Sequence, residues 1–165
     1  CVYYTTLQYA WYGCRKKDGI FTKEKHHALM KIADGWVKKV FEIIEYFNVK
    51  KWFIENPRTG LLKKREFMEY IPYIDVDYCR YCDWGYRKQT RIWTNLERFN
   101  NKLCNNICGQ IKNGKHRIDL SKDIKTTLER YRIPPNLIFE LLSFNLEKDI
   151  DLKKGRKVFL FSKYK

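Results

Sequence analysis

Between residues 23 and 47, apolar side chains recur at helical spacing: Leu29, Ile32, Ala33, Trp36, Val37, Val40, Phe41, Ile44 and Phe47. Lys31, Lys38, Lys39 and Glu42 take the other faces. This pattern predicts one amphipathic helix from Lys23 to Phe47, ended by Asn48. The next apolar run, Trp52-Phe53-Ile54, breaks onto Glu55-Asn56-Pro57. Proline lacks a backbone donor and pushes the residue before it towards extended geometry, so a strand from Lys51 to Ile54 is expected to stop near Glu55. Glu55 is thereby left at a carboxyl edge, where open α/β sheets bind ligands. Leu61 to Tyr70 reads as a short helix with a basic face, Ile74 to Tyr81 as a second strand, and Thr90 to Thr94 as a third. The short connection 84–89 makes the last two antiparallel neighbours. From Asn95 to Lys125 the pattern fades into an irregular insert. Pro135 then sits in the first turn of a helix from Asn136 to Phe144, and Lys157 to Ser162 forms a final strand. No repeat or linker divides the 165 residues, so a single α/β domain is expected, a sheet flanked by helices with a small Cys/His insert at 95–125.

Composition narrows the partners. A formal charge of +15 accompanies 16% aromatic residues, a pairing suited to phosphate neutralisation and base contact, so nucleic acid leads. No apolar run reaches membrane length and no signal pattern opens the chain, so a soluble intracellular protein is expected. In that setting Cys1, Cys14, Cys79, Cys82, Cys104 and Cys108 read as thiols, nucleophile or metal ligands rather than disulfides. Cys104-x3-Cys108 with His116 is a candidate structural zinc site, to be completed by Cys79 or Cys82. His26 and His27, at a helix start, are expected to be solvated.

The order of motifs resembles the DNA cytosine-5 methyltransferases, in particular the compact members encoded by phages and large DNA viruses. Cys1, with Tyr4 and Thr5 after two intervening residues, is similar to that family's nucleophile loop. Glu55-Asn56-Pro57 followed by Gly60-Leu61 resembles its Glu-Asn strand end. Trp84-Gly85, followed by Arg87, Lys88 and Arg91, resembles its aromatic-Gly turn leading into a basic strand. Ile133-Pro134-Pro135 is similar to its late Val-Pro-Pro.

The resemblance implies a partly present Rossmann-like methyltransferase sheet, DNA as partner and S-adenosylmethionine as methyl donor. It also implies a cofactor loop upstream of the nucleophile, in an N-terminal half that these residues do not include, so that the fragment by itself would be inactive. Cys1 would add to carbon 6 of a cytosine flipped out of the duplex. Glu55 would bind the ring at N3, Asn56 would hold the turn, and Arg91, or Arg87, would bind the base carbonyl or a phosphate. Arg58, Lys63, Lys64, Arg65, Arg87 and Lys88 would contact DNA. Two other readings stay open at this point: a non-catalytic basic nucleic-acid-binding module, such as a degenerate methyltransferase remnant, and a small zinc-stabilised interaction domain.

Overall fold

The computed structural model describes residues 2–5, 22–124 and 126–143. Cys1, the aromatic stretch 7–13 and the expected strand 157–162 lie outside the described residues. Helix α1 spans Lys23–Tyr46. Its N-cap is Thr22, whose hydroxyl accepts from the Lys25 amide at 3.2 Å, and beyond its C-cap Phe47 the positive φ of Asn48 (47°) ends the helix. The helix buries His26, Ala33, Asp34 and Phe41, whereas Ile32, Trp36, Val40, Ile43 and Phe47 stay exposed among the described residues. Among the described residues, the apolar arc is wider than the surface that packs against it. His26 is buried, not solvated as expected: its Nε2–H donates to the Tyr3 carbonyl at 2.9 Å.

Strand β1 (Phe53–Pro57) runs further than expected and contains both Glu55 and Asn56. Pro57 is tolerated because, among the described residues, β1 is an edge strand of the sheet. Strand β2 (Tyr73–Asp77) is shorter than the alternation implied, since the chain folds into a 3-10 turn at Tyr78–Arg80 that buries Tyr78 and Cys79. Strand β3 covers Gln89–Thr94. The sheet order is β1-β3-β2, with β3 antiparallel to both neighbours, so β1 and β2 point the same way and end at the same edge. The expected helix at 61–70 is instead two 3-10 turns, Leu61–Lys64 and Glu66–Met68, separated by Arg65 in extended geometry (ψ 132°).

Register assigns the faces, because residues directly opposite in a ladder share a side. Ile54, Trp93 and Tyr73 form one row and Asn56, Arg91 and Asp75 the next, on the α1 side. There Trp93 packs with Tyr4, Ala33, Phe41, Leu62 and Met68. Glu55, Ile92 and Ile74 lie on the opposite face, where Ile92 and Val76 pack with Tyr78, Leu137 and Leu141. The last two come from helix α3 (Pro135–Ser143), which begins at Pro135 as the sequence predicts and follows a one-turn helix α2 (Thr127–Tyr131). The result is a mixed helix and sheet structure with cover on both faces. Within the insert, a two-stranded hairpin pairs β4 (Ile111–Lys112) with β5 (Lys115–His116) across Asn113-Gly114, both at positive φ (52° and 74°). That dipeptide supplies the backbone a type I′ turn requires. No helix of the described residues is long and apolar enough to cross a membrane.

Candidate functional site

Glu55 stands near the carboxyl end of β1, its side chain 27% exposed. The Tyr78 hydroxyl donates to Glu55 Oε1 at 3.4 Å, and Lys88 Nζ lies 3.8 Å from the same oxygen. Lys88, expected on a DNA-facing surface, is 9% exposed: its ammonium donates to the Arg130 carbonyl at 3.1 Å and lies 4.8 Å from the Tyr78 ring centroid. Burial pushes the pKa of Lys88 down, and Glu55 opposes that shift. Burial pushes the Tyr78 phenol up, with Glu55 adding to the effect. The carboxylate is therefore held by a neutral hydroxyl and a largely desolvated ammonium. Sequence reasoning missed both partners, because Tyr78 reads as an ordinary strand residue and Lys88 as one more member of a basic run.

Asn56 is 2% exposed and points to the other face. A Cβ on Gly60 would stand 2.2 Å from Asn56 Oδ1 and 3.0 Å from the Pro57 carbonyl oxygen, so glycine is required there by close approach. Arg91 shares that face and not the face of Glu55. Its guanidinium grips Asp75 through two bonds of 2.8 and 2.9 Å and stacks 3.5 Å from the Tyr73 ring centroid. Arg65 likewise spends its guanidinium on buried Asp34, at 3.0 and 3.1 Å from Nε, while the Tyr4 hydroxyl donates to the same carboxylate at 2.8 Å. Arg91, Arg65, Lys63 and Lys64 line one cleft of about 390 Å³ with Tyr73 and Trp93; Lys63 and Lys64 are its exposed lysines, and the acidic residues Glu66 and Glu69 also line it. Arg87 Nη2 donates to fully buried Asp77 at 2.9 Å. With the Gln89 amide turned so that its oxygen faces the two guanidiniums, it accepts from Arg58 and Arg87 at 2.9 and 3.0 Å.

At the same sheet edge Cys79, Cys104, Cys108 and His116 bring their donor atoms within 4.8 Å of one another, a group able to hold a metal ion. Cys79 is the fourth member. Cys82 is not: its thiol donates to the Tyr78 carbonyl at 3.1 Å. Burial pushes the Cys79 thiol up. For Cys104 burial acts in the same direction, but hydrogen bonds from Cys79 and Cys108 outweigh it and bring that thiol down.

A Glu-Asn near the end of β1 in an antiparallel sheet covered by helices defines a mixed helix and sheet protein that presents an acid near the carboxyl end of β1, on the face opposite the lysine-bearing cleft. The chain is 36% identical over 155 residues to a probable DNA (cytosine-5)-methyltransferase of Frog virus 3 (isolate Goorha), an alignment covering 86% of this chain and 70% of that relative. It belongs to the DNA cytosine-5 methyltransferase family. No protein-family profile matches the chain, and no solved structure does.

Proposed function

We propose that the chain works in methyl transfer to carbon 5 of cytosine in DNA, with Glu55 as the residue that engages the ring. The observation that carries this is the placement of Glu55: a carboxylate at the carboxyl edge, held by Tyr78 and Lys88 and still partly exposed. Carbon 5 is a poor nucleophile in the intact ring. In the proposed step the Cys1 thiolate forms a bond to carbon 6, the carbon 5–carbon 6 electron pair moves onto carbon 5, and Glu55 bonds N3 to relieve the charge that builds on the ring. Cys1 lies outside the described residues, so its role rests on the motif around it. A base inside a duplex is out of reach, so the cytosine is flipped and exposed Lys63 and Lys64 neutralise backbone phosphate. Arg91 acts from the opposite face as a positioning residue for β1, whose Asn56 is its partner in register.

S-adenosylmethionine is the methyl donor this reading calls for. No glycine-rich strand-to-helix loop occurs among the described residues, so none of them is assigned to it. The Rossmann-like sheet belongs to the same proposal, supported by β1 and β2 running in one direction.

The test is Glu55→Gln in protein produced from the complete reading frame. The expected result is a kcat lower by about 10²- to 10⁴-fold with DNA affinity changed only a few fold. Unchanged kcat would remove Glu55 from the chemistry.

A further inference from the structure

We infer that Cys79, Cys104, Cys108 and His116 bind one Zn²⁺ in a closed tetrahedral site that fastens the insert to the catalytic edge of the sheet. Three elements deliver the ligands. Cys79 comes from the 3-10 turn directly after β2, Cys104 and Cys108 from the loop that follows β3, and His116 from the hairpin turned by Asn113-Gly114. His116 Nε2 lies 3.5 Å from Cys104 Sγ and 3.3 Å from Cys108 Sγ. A tetrahedral zinc with Zn–S of about 2.3 Å and Zn–N of about 2.0–2.1 Å sets sulfur and nitrogen about 3.6 Å apart and two sulfurs about 3.8 Å apart. The observed spacing is within a few tenths of an ångström of that figure, and the remaining donors fall inside the same small volume.

The donor set selects the ion. Three soft thiolates and one imidazole in tetrahedral array suit zinc, and four protein ligands leave no open position for water or substrate, which marks the site as structural. Because Nε2 faces the sulfurs, the proton of the neutral ring is on Nδ1. Hydrogen bonds support the ligands: the Cys104 amide donates to buried Asp77 at 2.7 Å, and exposed Arg87 binds that same carboxylate, placing a positive charge beside a centre whose zinc and three thiolates sum to −1.

The insert also needs such a fastening. Apolar burial anchors the two ends of the insert through Leu96 and Ile124, but in its middle Ile107 is 65% exposed and the bonds to the sheet edge are polar. Gln110 donates to the Cys79 carbonyl at 3.0 Å and accepts from the Gly85 amide, and Arg80 donates to the Ile107 carbonyl at 2.9 Å. Each polar bond of this kind contributes little, whereas a structural zinc contributes far more. The turn that zinc anchors leads on to Arg87 and Lys88, and the Lys88 carbonyl accepts from the Tyr78 amide at 3.1 Å. Zinc thus also steadies the two residues that hold Glu55.

The proposal is independent of the methyltransferase reading, because metal is measured without DNA or turnover. Protein produced from its complete reading frame and dialysed against metal-free buffer is analysed by mass spectrometry for zinc and iron. Cobalt is then exchanged into the site. Stoichiometric zinc and the intense visible absorption of a tetrahedral cobalt–thiolate centre are expected. Cys79→Ser and Cys108→Ser should lose the metal, while Cys82→Ser and the four-donor variant His116→Cys keep it. Since a ligand variant can misfold, the wild-type protein is also treated with a chelator and trypsin. Cleavage at exposed Lys112, Lys115 and Arg117 should appear on chelation and be suppressed by added zinc. Substoichiometric metal, iron in place of zinc, a pale octahedral cobalt spectrum, metal loss in Cys82→Ser, or tryptic cleavage indifferent to zinc would each overturn the assignment.

Discussion

Asn56 and Gly60 show how tightly single positions are specified at the strand end. Gly60→Ala places a methyl group where Asn56 Oδ1 stands, so the buried carboxamide must shift. A cost of about 1–3 kcal/mol in urea denaturation is expected, the range for an overpacked interior. A cost near zero would mean that the turn yields freely. Buried tyrosines set the alkaline limit. Burial pushes Tyr81 up to about 12, partly offset by the Lys102 amide that donates to its hydroxyl at 3.2 Å, and burial raises Tyr4 and Tyr78 as well. An unfolded tyrosine releases its proton near pH 10, before the folded ones do. The folded state then binds more protons, and stability falls as pH rises from about 10 to 12, by up to about 1.4 kcal/mol per pH unit for each such group. Denaturation followed against pH checks this; a flat profile there would contradict it. Glu55 could be read from the sequence because Pro57 marks the strand end. Lys88 could not, because only the chain folding back through Tyr78 and Arg130 shows that this lysine is interior.

At the scale of elements, Arg65 ties α1 to the turns after β1. The basic run Lys63-Lys64-Arg65 reads as uniform surface, but Arg65 alone reaches Asp34, and that reach divides an expected helix into two turns. Arg65→Ala leaves buried Asp34 with the Tyr4 hydroxyl and should cost about 2–4 kcal/mol by chemical denaturation. A loss under about 0.5 kcal/mol would class the pair with exposed ion pairs. Helix α1, the antiparallel pairing of β2 with β3 and the start of α3 at Pro135 were legible because periodicity, a short connection and proline chemistry each act locally. The Asn113-Gly114 hairpin carried a local signal too, masked by the polar residues around it. The face of Arg91 was set by register, which a one-residue step inverts.

For the whole molecule, the proposed function, with a charge of +15 and exposed lysines at the cleft, predicts a DNA affinity that falls with salt. Replacing Lys63 and Lys64 together by Gln should lower the slope of log K against log salt by roughly 1.8, about 0.9 for each phosphate no longer neutralised. An unchanged slope would place the DNA elsewhere. Long-range assembly, namely which thiol completes the metal group and which residues surround Glu55, was beyond sequence because it depends on two segments meeting at one sheet edge. The most direct test of the central claim is covalent capture. DNA carrying 5-fluorocytosine is incubated with methyl donor and protein from the complete reading frame, then denatured and resolved by mass. A protein–DNA adduct that maps to Cys1 and is absent in Cys1→Ala is the predicted result. DNA binding with no adduct, or an adduct that persists in Cys1→Ala, would contradict the account.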